Sequence, residues 1–469
     1  MGRMGLILLA YLALSACATR GSLDVHCNGF TEAPPGKIAF RHPLPLSPIE
    51  RQIRGQEGFL TPLGDGQTES GLLTRTLYAY QQAVFRQKLH AADPLKDNPA
   101  LGDPAVLLLS GGGQWGAFGA GFLSRLAEKG EVPNFFVITG VSTGSMQAMF
   151  VGSDHPDKWQ WLKAAYTIDK EHRVVRRNAK WRALFTGSFA GLVPLYHRIE
   201  TALCPPTTLG ADQPDCPAIS ALAKADRQIL VGYIEARSGD FYYSDIHQIA
   251  TRTSADNARA CIAGTALASS AMPVTFQQVR INGRAYYDGG VRQSVFANWA
   301  EQLGRAVRAY ETKRPAESIN DMPFYVIRNG PTALSEDNGE ADKSPDAFTA
   351  AQRAQAIVTN QLEVGSIAGL RLQKPGGPIR FVTADGWDKH LFMLKGKSTS
   401  CKTLYDTAKK KGRMFDPDFM ACLMDYGRAR ADKPWSDLMS ISADRKESLP
   451  PITKEILPPP ANDNEPSPQ

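Results

Sequence analysis

A serine flanked by glycines stands between an apolar strand pattern and a helical pattern. The pentapeptide Gly-Val-Ser-Thr-Gly centred on Ser142 follows the apolar run 135–138 and precedes a helical pattern over 143–151. Flanking glycines permit the sharp strand-to-helix turn of a nucleophile elbow, which exposes the serine hydroxyl. The helix after the turn also directs N–H groups and its positive dipole end toward the serine. We therefore predict that Ser142 is a nucleophile and that Gly140 and Gly144 form its elbow.

A second glycine-rich turn, Gly-Gly-Gly-Gln-Trp-Gly at 111–116, also lies between a strand pattern and a helical pattern. Without Cβ atoms, its glycines can bring backbone N–H groups close to an anion. A dinucleotide site would need an acidic residue at the end of the next strand, but Glu131 precedes that strand. An oxyanion hole, which stabilises the negative oxygen of a tetrahedral acyl intermediate, fits better beside a serine elbow. The candidate oxyanion-hole residues are Gly111, Gly112, Gly113 and Gly116.

A serine nucleophile needs a base that accepts its proton. Histidine is the usual base of α/β-hydrolases, and His247 and His390 are available, but neither stands in a recognisable motif. Asp288 directly follows a short strand pattern, and Gly289 and Gly290 after it leave space beside its carboxylate. We predict Asp288 as the base. A Ser-His-Asp triad built on one of the two histidines is the enzymatic alternative.

Taken in order, these segments resemble the patatin-like phospholipase family. The resemblance rests on the glycine turn 111–116, the elbow 140–144, the segment Ala-Ser-Ser-Ala-Met-Pro-Val-Thr-Phe at 268–276 and the Asp-Gly-Gly triplet at 288–290. It spans roughly residues 104 to 300. The family implies a three-layer α/β sandwich with a mostly parallel central sheet flanked by helices. It also implies hydrolysis of lipid or other acyl esters through an acyl-serine intermediate, without a cofactor.

The resemblance implies a role for each matched residue. Asp288 would orient and deprotonate Ser142 in a dyad without a catalytic histidine, and the N–H groups of Gly112 and Gly113 would hold the oxyanion. Many family members carry Arg or Lys in the glycine turn where this chain has Trp115. Because a cation there can attract lipid phosphate, its loss argues against a strictly phospholipid substrate.

Strand and helix patterns alternate along the chain, which is typical of a parallel sheet covered by helices. Strands are predicted at 105–109, 135–138, 229–236, 239–244, 276–281, 285–287 and 323–328, and helices at 71–89, 116–129, 143–151, 257–270 and 350–372. We divide the chain into a lipoprotein signal peptide at 1–16, an N-terminal arm at 17–100, a patatin-like catalytic core at 101–330, a C-terminal helical extension at 331–445 and a disordered Pro-rich tail at 446–469.

The first residues predict export and lipid anchoring. Arg3 precedes the apolar run 5–14, which is too short to span a bilayer but suits a secretory signal. The sequence Leu-Ser-Ala-Cys at 14–17 resembles a bacterial lipoprotein signal, so acyl chains on Cys17 would hold the protein on a membrane. Ala18 favours the outer membrane by the same resemblance, which predicts a lipid-anchored envelope protein facing the periplasm. The alternative is an ordinary cleaved signal peptide in which this cysteine is incidental.

The remaining six cysteines form an even set in a chain predicted to reach an oxidising compartment, so we expect disulfides. Cys204 with Cys216 is the favoured pair and Cys401 with Cys422 the second, although six cysteines allow 15 pairings. No Cys or His spacing typical of zinc occurs, and we predict neither a metal nor a cofactor.

Composition and charge limit the choice of partners. The chain has 469 residues, of which 43% are hydrophobic, and Lys plus Arg exceed Asp plus Glu by 53 to 47. We interpret this excess of +6 as spread along the chain, which gives no support to nucleic-acid binding. The segment 159–182 mixes Trp with basic residues, which suits an anionic membrane interface or a helical cap whose Trp side chains face the core. A non-catalytic lipoprotein that binds lipid is the third functional hypothesis.

Overall fold

The computed structural model describes residues 23–30, 39–44, 66–92, 102–178, 188–205, 216–334 and 347–438. The predicted signal peptide, Cys17, Trp181 and the Pro-rich tail lie outside these residues, as does the greater part of the N-terminal arm outside one helix. The predictions made for them therefore stay predictions.

The strands of the described residues are short. They are β1 Leu23–Val25, β2 His42–Pro43, β3 Ala105–Leu109, β4 Phe135–Val141, β5 Arg176–Arg177, β6 Ala190–Gly191, β7 Gln228–Glu235, β8 Phe241–Asp245, β9 Val279–Ile281, β10 Arg284–Asp288, β11 Phe324–Ile327, β12 Ile379–Val382, β13 Leu391–Leu394, β14 Lys397–Ser400 and β15 Ser436–Asp437.

Helices separate most of these strands. They are α1 Gly66–Ala92, α2 Gly116–Glu128, α3 Thr143–Gly152, α4 Lys158–Tyr166, α5 Val193–Leu203, α6 Pro217–Lys224, α7 Ile246–Arg252, α8 Ala255–Ser270, α9 Ala297–Thr312, α10 Ala347–Gln373, α11 Cys401–Lys410 and α12 Pro417–Ala431. Each strand and helix predicted from the sequence pattern is present, with ends that differ by a few residues.

A mixed sheet of 11 strands forms the centre of the fold. Its five middle strands, in the order β7, β4, β3, β11 and β12, run parallel to one another. Antiparallel partners flank them: β10 and β8 pair with β7, and β15 pairs with β12. The predicted α/β class with a mostly parallel central sheet is thus confirmed.

Helices cover both faces of the sheet. Successive side chains of a strand point to opposite faces, and in β3 Leu107 and Leu109 belong to the apolar cluster that includes α2. Val106 and Leu108, on the other face, pack in the cluster that includes α1 and α9. Because the strand is buried on both sides, its sequence is continuously apolar rather than alternating. The resulting arrangement has three layers, as predicted.

The terminal segments also contribute strands to the central sheet. β1 of the N-terminal arm pairs with β9, and β2 pairs with β8. The predicted C-terminal extension, 331–445, holds β12 and β15 of the sheet and the separate hairpin of β13 and β14 besides its helices. The sequence pattern did not predict β1, β2, β12 or β15, which have two to four residues, so their pairing depends on the tertiary context. Within the described residues, no helix combines the length and apolar character needed to cross a bilayer.

Three disulfides occur among the described residues, and one of them connects distant parts of the chain. The two predicted pairs, Cys204–Cys216 and Cys401–Cys422, are confirmed. The third, Cys27–Cys261, joins the segment after β1 to the middle of α8, across a sequence separation of 234 residues. It therefore ties the N-terminal arm to the helix that ends at the predicted 268–276 motif.

The Cys27–Cys261 disulfide should make the largest contribution to stability among the three. Replacing both cysteines by alanine should lower the free energy of unfolding by about 2–5 kcal/mol, because a bond that closes a long loop restricts the unfolded chain most. Urea-induced unfolding measures this loss. As a control, the Cys204→Ala and Cys216→Ala pair, with a separation of 12 residues, should cost less. Equal losses for the two pairs would contradict the expectation.

Candidate active site

Strands β4 and β10 meet end to end on one edge of β7. β4 pairs with the first part of β7 and ends with Val141 opposite Gly232, whereas the antiparallel β10 ends with Asp288 opposite Tyr233. Since adjacent positions of β7 receive the two ends, Ser142 comes directly beside Asp288. The Ser142 hydroxyl lies close enough to the Asp288 carboxyl group to favour its ionised form and lower its pKa.

The backbone at Ser142 has the conformation of a sharp turn. Its φ of 54° and ψ of −126° lie in a region that non-glycine residues rarely adopt, as expected of a strained nucleophile elbow. The two flanking glycines allow close backbone contact: a Cβ on Gly140 would lie 2.3 Å from the Gly144 carbonyl oxygen. A Cβ on Gly144 would lie 2.4 Å from the Leu109 carbonyl oxygen. The backbone of the elbow therefore packs closely against the end of β3.

The 268–276 motif holds the serine and the aspartate in place. The Ser269 hydroxyl accepts a hydrogen bond from the Ser142 amide at 2.8 Å and donates one to the Gly232 carbonyl at 2.6 Å. The Asp288 amide donates to the Ala271 carbonyl at 3.1 Å. The sequence singled out this segment without a physical role, and the structure shows that it fixes both neighbouring strand ends.

Burial changes the acidity of Asp288. The residue is only 1% exposed, and removal from water raises the pKa of its carboxyl group to about 7. A hydrogen bond from the Gly290 amide, at 2.8 Å, and interaction with the Ser142 hydroxyl oppose this rise in pKa by stabilising the carboxylate. Near neutral pH the group can therefore both accept and return a proton.

The glycine turn lies against the serine. A Cβ on Gly111 would lie 3.9 Å from Ser142 Oγ. Gly112 and Gly113 have φ values of 145° and 56°, which favour glycine. No acceptor within the described part of the chain binds the amides of Gly112 and Gly113. These two N–H groups are therefore available to a ligand beside the serine.

The other two predicted oxyanion-hole glycines already donate to protein atoms. The Gly111 amide donates to Ser294 Oγ at 3.2 Å, and the Gly116 amide donates to the Gln114 and Gly113 carbonyls. A Cβ on Gly116 would lie 2.0 Å from Thr143 Oγ1, so this glycine permits close packing of the turn against α3. Gly111 and Gly116 therefore contribute to the shape of the loop. The remaining candidate oxyanion donors are the amides of Gly112 and Gly113.

A buried polar network supports the glycine turn from behind, and sequence reasoning missed it. The backbone amide of Asn329 donates to Ser110 Oγ at 2.9 Å, and its side-chain Nδ2 donates to the Ser110 carbonyl at 2.8 Å. Gln147 donates to the Gly116 carbonyl at 2.8 Å and also bonds Asn329. Asn329 follows the carboxyl end of β11, where parallel α/β sheets place their functional residues. That position was the one available signal.

Trp115 anchors the end of the glycine turn. Its ring packs edge-on against Trp387 at 4.9 Å and Phe419 at 5.3 Å, and lies 6.0 Å from Tyr405, measured between ring centroids. We call these four residues the aromatic cluster. Trp115 thus packs the glycine turn against residues from the C-terminal part of the chain.

The two histidines of the alternative triad have partners away from the serine. His247 Nδ1 lies 3.2 Å from the Leu222 carbonyl oxygen, and His390 Nε2 lies 2.8 Å from an Asp425 carboxylate oxygen. Within the described residues, neither ring forms a hydrogen bond with Ser142. No cluster of three His, Cys, Asp or Glu suited to a metal ion occurs among them either.

An apolar pocket runs along α3, the helix that begins after the serine. Its lining includes Met146, which stands one helical turn from Ser142, together with Met149, Phe150 and Leu195. The cavity volume is about 70 Å³. Trp161 of the basic segment lines the same pocket and, like Trp159, packs against the core. Packing therefore accounts for these two tryptophans without a membrane.

The buried carboxyl group of Asp288 should destabilise the fold at high pH. Its pKa of about 7 lies above the ordinary value, so the folded protein retains a proton that the unfolded chain releases as pH rises above about 4. Stability should therefore fall between about pH 4 and pH 7. Asp288→Asn, which cannot ionise, should have a higher melting temperature than the parent at pH 8 but not at pH 4. A difference independent of pH would contradict this account.

One comparison with known proteins identifies a family that part of the chain resembles. Residues 107–298 match the sequence model of the patatin-like phospholipase family. VipD from Legionella pneumophila aligns in structure with a TM-score of 0.28 and 14% sequence identity, covering 68% of this chain and 66% of VipD, slightly less than two thirds of its length. No curated protein is similar enough in sequence to count as a match. The part of the chain that is similar to the patatin-like phospholipase family therefore includes Ser142, Asp288 and the glycine turn.

Proposed function

We propose that the chain hydrolyses acyl esters of lipids with a Ser-Asp dyad and no catalytic histidine. The patatin-like phospholipase domain supports a lipid acyl hydrolase in general. The finer proposal rests on the register of β4 and β10 along β7, which brings Ser142 beside the buried Asp288. The unpaired amides of Gly112 and Gly113 and the amino end of α3, beside the same hydroxyl, suit a developing oxyanion.

In the first half of the reaction, Ser142 Oγ attacks the ester carbonyl carbon while its proton passes to the Asp288 carboxylate. The carbonyl oxygen becomes the oxyanion, which the amides of Gly112 and Gly113 stabilise. When the tetrahedral intermediate collapses, the bond to the alcohol breaks and Asp288 returns the proton to the leaving oxygen. The products of this half are the alcohol and an acyl-Ser142 ester.

The second half repeats the chemistry with water. Asp288 accepts a proton from a water molecule that attacks the acyl-Ser142 carbonyl, and the same amides stabilise the second oxyanion. Collapse breaks the bond to Ser142 Oγ, which regains a proton from Asp288, and the fatty acid leaves. A base with a pKa near 7 suits both directions of transfer.

We further propose export and anchoring through acylated Cys17, after removal of residues 1–16, in a bacterial envelope with the protein facing the periplasm. The lipoprotein-like sequence before Cys17 supports this proposal. The three disulfides support it independently, because such bonds persist in oxidising compartments.

Loss of either dyad residue should abolish hydrolysis. Ser142→Ala and Asp288→Asn should each lower kcat/KM for a water-soluble short-chain ester by at least about a thousandfold, because each removes a group that acts in both half-reactions. His247→Ala and His390→Ala are the matched controls and should retain activity. Inactivation by either histidine variant would favour a triad. Failure of a fluorophosphonate to label Ser142 would favour the non-catalytic, lipid-binding alternative.

The rate should depend on the ionisation of Asp288. Because the carboxylate form is the base, kcat/KM should rise with pH through about 7 and then level off. A pH profile on the same soluble ester measures this dependence. A profile that is flat from pH 5 to pH 8 would show that a different group limits the reaction.

A further inference from the structure

A short C-terminal segment carries as much net charge as the whole chain. Residues 389–411, which we call the lysine-rich segment, hold seven lysines and one acidic residue, Asp406, whereas the chain as a whole has an excess of +6. The interpretation that the positive charge is spread evenly is therefore wrong. The lysines are Lys389, Lys395, Lys397, Lys402, Lys409, Lys410 and Lys411.

The same segment exposes large apolar side chains on a small hairpin. β13 and β14 pair in antiparallel fashion, and alternate residues of β13 point to opposite sides. Leu391 is 65% exposed and Met393 is 64% exposed, while Phe392 and Leu394 pack against the core. The hairpin thus presents an apolar face to solvent, with Lys395 in its turn.

The cations beside this face have few neighbouring carboxylates. Asp406 pairs with Lys402 at 3.1 Å. No carboxylate of the described residues forms an ion pair with Lys389, Lys395 or Lys397, all of which are exposed. The apolar face therefore lies beside three exposed lysines that have no ion-pair partner among the described residues, whereas Asp425 pairs with His390 of the same segment.

The lysine-rich segment is joined to the glycine turn. Tyr405 of α11 belongs to the aromatic cluster with Trp115, and Trp387 precedes the segment. The Cys401–Cys422 disulfide fixes α11 to α12, and the Asp416 amide, before α12, donates to Gln114 of the glycine turn at 3.2 Å. The positively charged surface and the candidate active site are thus held by one packed unit.

We propose that the lysine-rich segment is a docking surface for a bilayer that contains anionic lipid. Leu391 and Met393 enter the interfacial region, and the surrounding lysines bind the negative surface. A basic surface with exposed apolar side chains fits this partner by charge and by polarity. The docking needs no hydrolysis, but its consequence, delivery of lipid esters to Ser142, rests on the proposed function.

Vesicle co-sedimentation of the full chain tests the proposal. The protein carries Ser142→Ala to prevent turnover and Cys17→Ser to prevent acylation, and all variants are compared in that background. Binding should be stronger to phosphatidylcholine mixed with phosphatidylglycerol than to phosphatidylcholine alone, and should weaken as salt is added. Lys395→Gln and Lys397→Gln should each weaken binding about fivefold, and Leu391→Ser with Met393→Ser at least about tenfold.

Matched control variants distinguish binding through this surface from nonspecific adsorption to vesicles. Leu372 is 66% exposed and lies at the end of α10, near the amino ends of the parallel strands and away from the glycine turn. Lys313 is also exposed and follows α9 on the same side of the sheet. Leu372→Ser and Lys313→Gln should leave vesicle binding unchanged. In the active protein, all six substitutions should leave hydrolysis of a water-soluble ester unchanged.

Three outcomes would overturn the proposal: equal binding to both vesicle types, equal losses in the controls, or no binding by the parent. Self-association that depends on Leu391, without vesicle binding, would assign the face to a second copy of the chain. Because binding is measured on the Ser142→Ala protein, an inactive parent enzyme would refute the proposed hydrolysis and leave the docking result standing.

Discussion

The edge of β7 is the constraint on which the candidate site depends. A strand edge offers one row of hydrogen-bonding groups, and here a parallel strand, β4, uses the first part while an antiparallel strand, β10, uses the last. The two strands therefore point at each other, and their ends must meet. A hydroxyl and a carboxylate that are 146 positions apart in sequence become neighbours without any loop that has to fold over them, because backbone pairing alone brings them together.

This placement puts a carboxylate deep in the protein, where its charge is costly. The cost raises the pKa of Asp288, and only local donors, the Gly290 amide and the serine hydroxyl, counter it. A buried aspartate with a pKa near neutrality has basicity close to that of a histidine. That similarity explains in physical terms how a dyad can act without an imidazole. Burial raises the pKa of the aspartate to a value that histidine has without burial.

The sequence was informative where chemistry depends on neighbouring residues. The elbow at Ser142 and the glycine turn each lie within one strand-turn-helix unit, so apolar periodicity and glycine spacing were enough to predict them. Asn329 and Ser294 support the glycine turn across separations of about two hundred residues, and the only local signal is the position of Asn329 after a predicted strand. The Cys27–Cys261 bond and the two-residue strand β15 likewise depend on tertiary contacts. Local sequence patterns therefore predict the candidate site residues better than the distant residues that hold them in place.

Trp115 links the chemistry of the site to the surface. A cation in the glycine turn would attract the head group of one lipid molecule at a time, whereas Trp115 contributes only apolar contacts to the aromatic cluster. The lysine-rich segment contributes Tyr405 to that cluster, and its hairpin exposes Leu391 and Met393. If this surface docks on a bilayer, electrostatic attraction acts on many head groups together, and the site itself need not recognise phosphate. Selectivity would then depend on the membrane rather than on the individual ester.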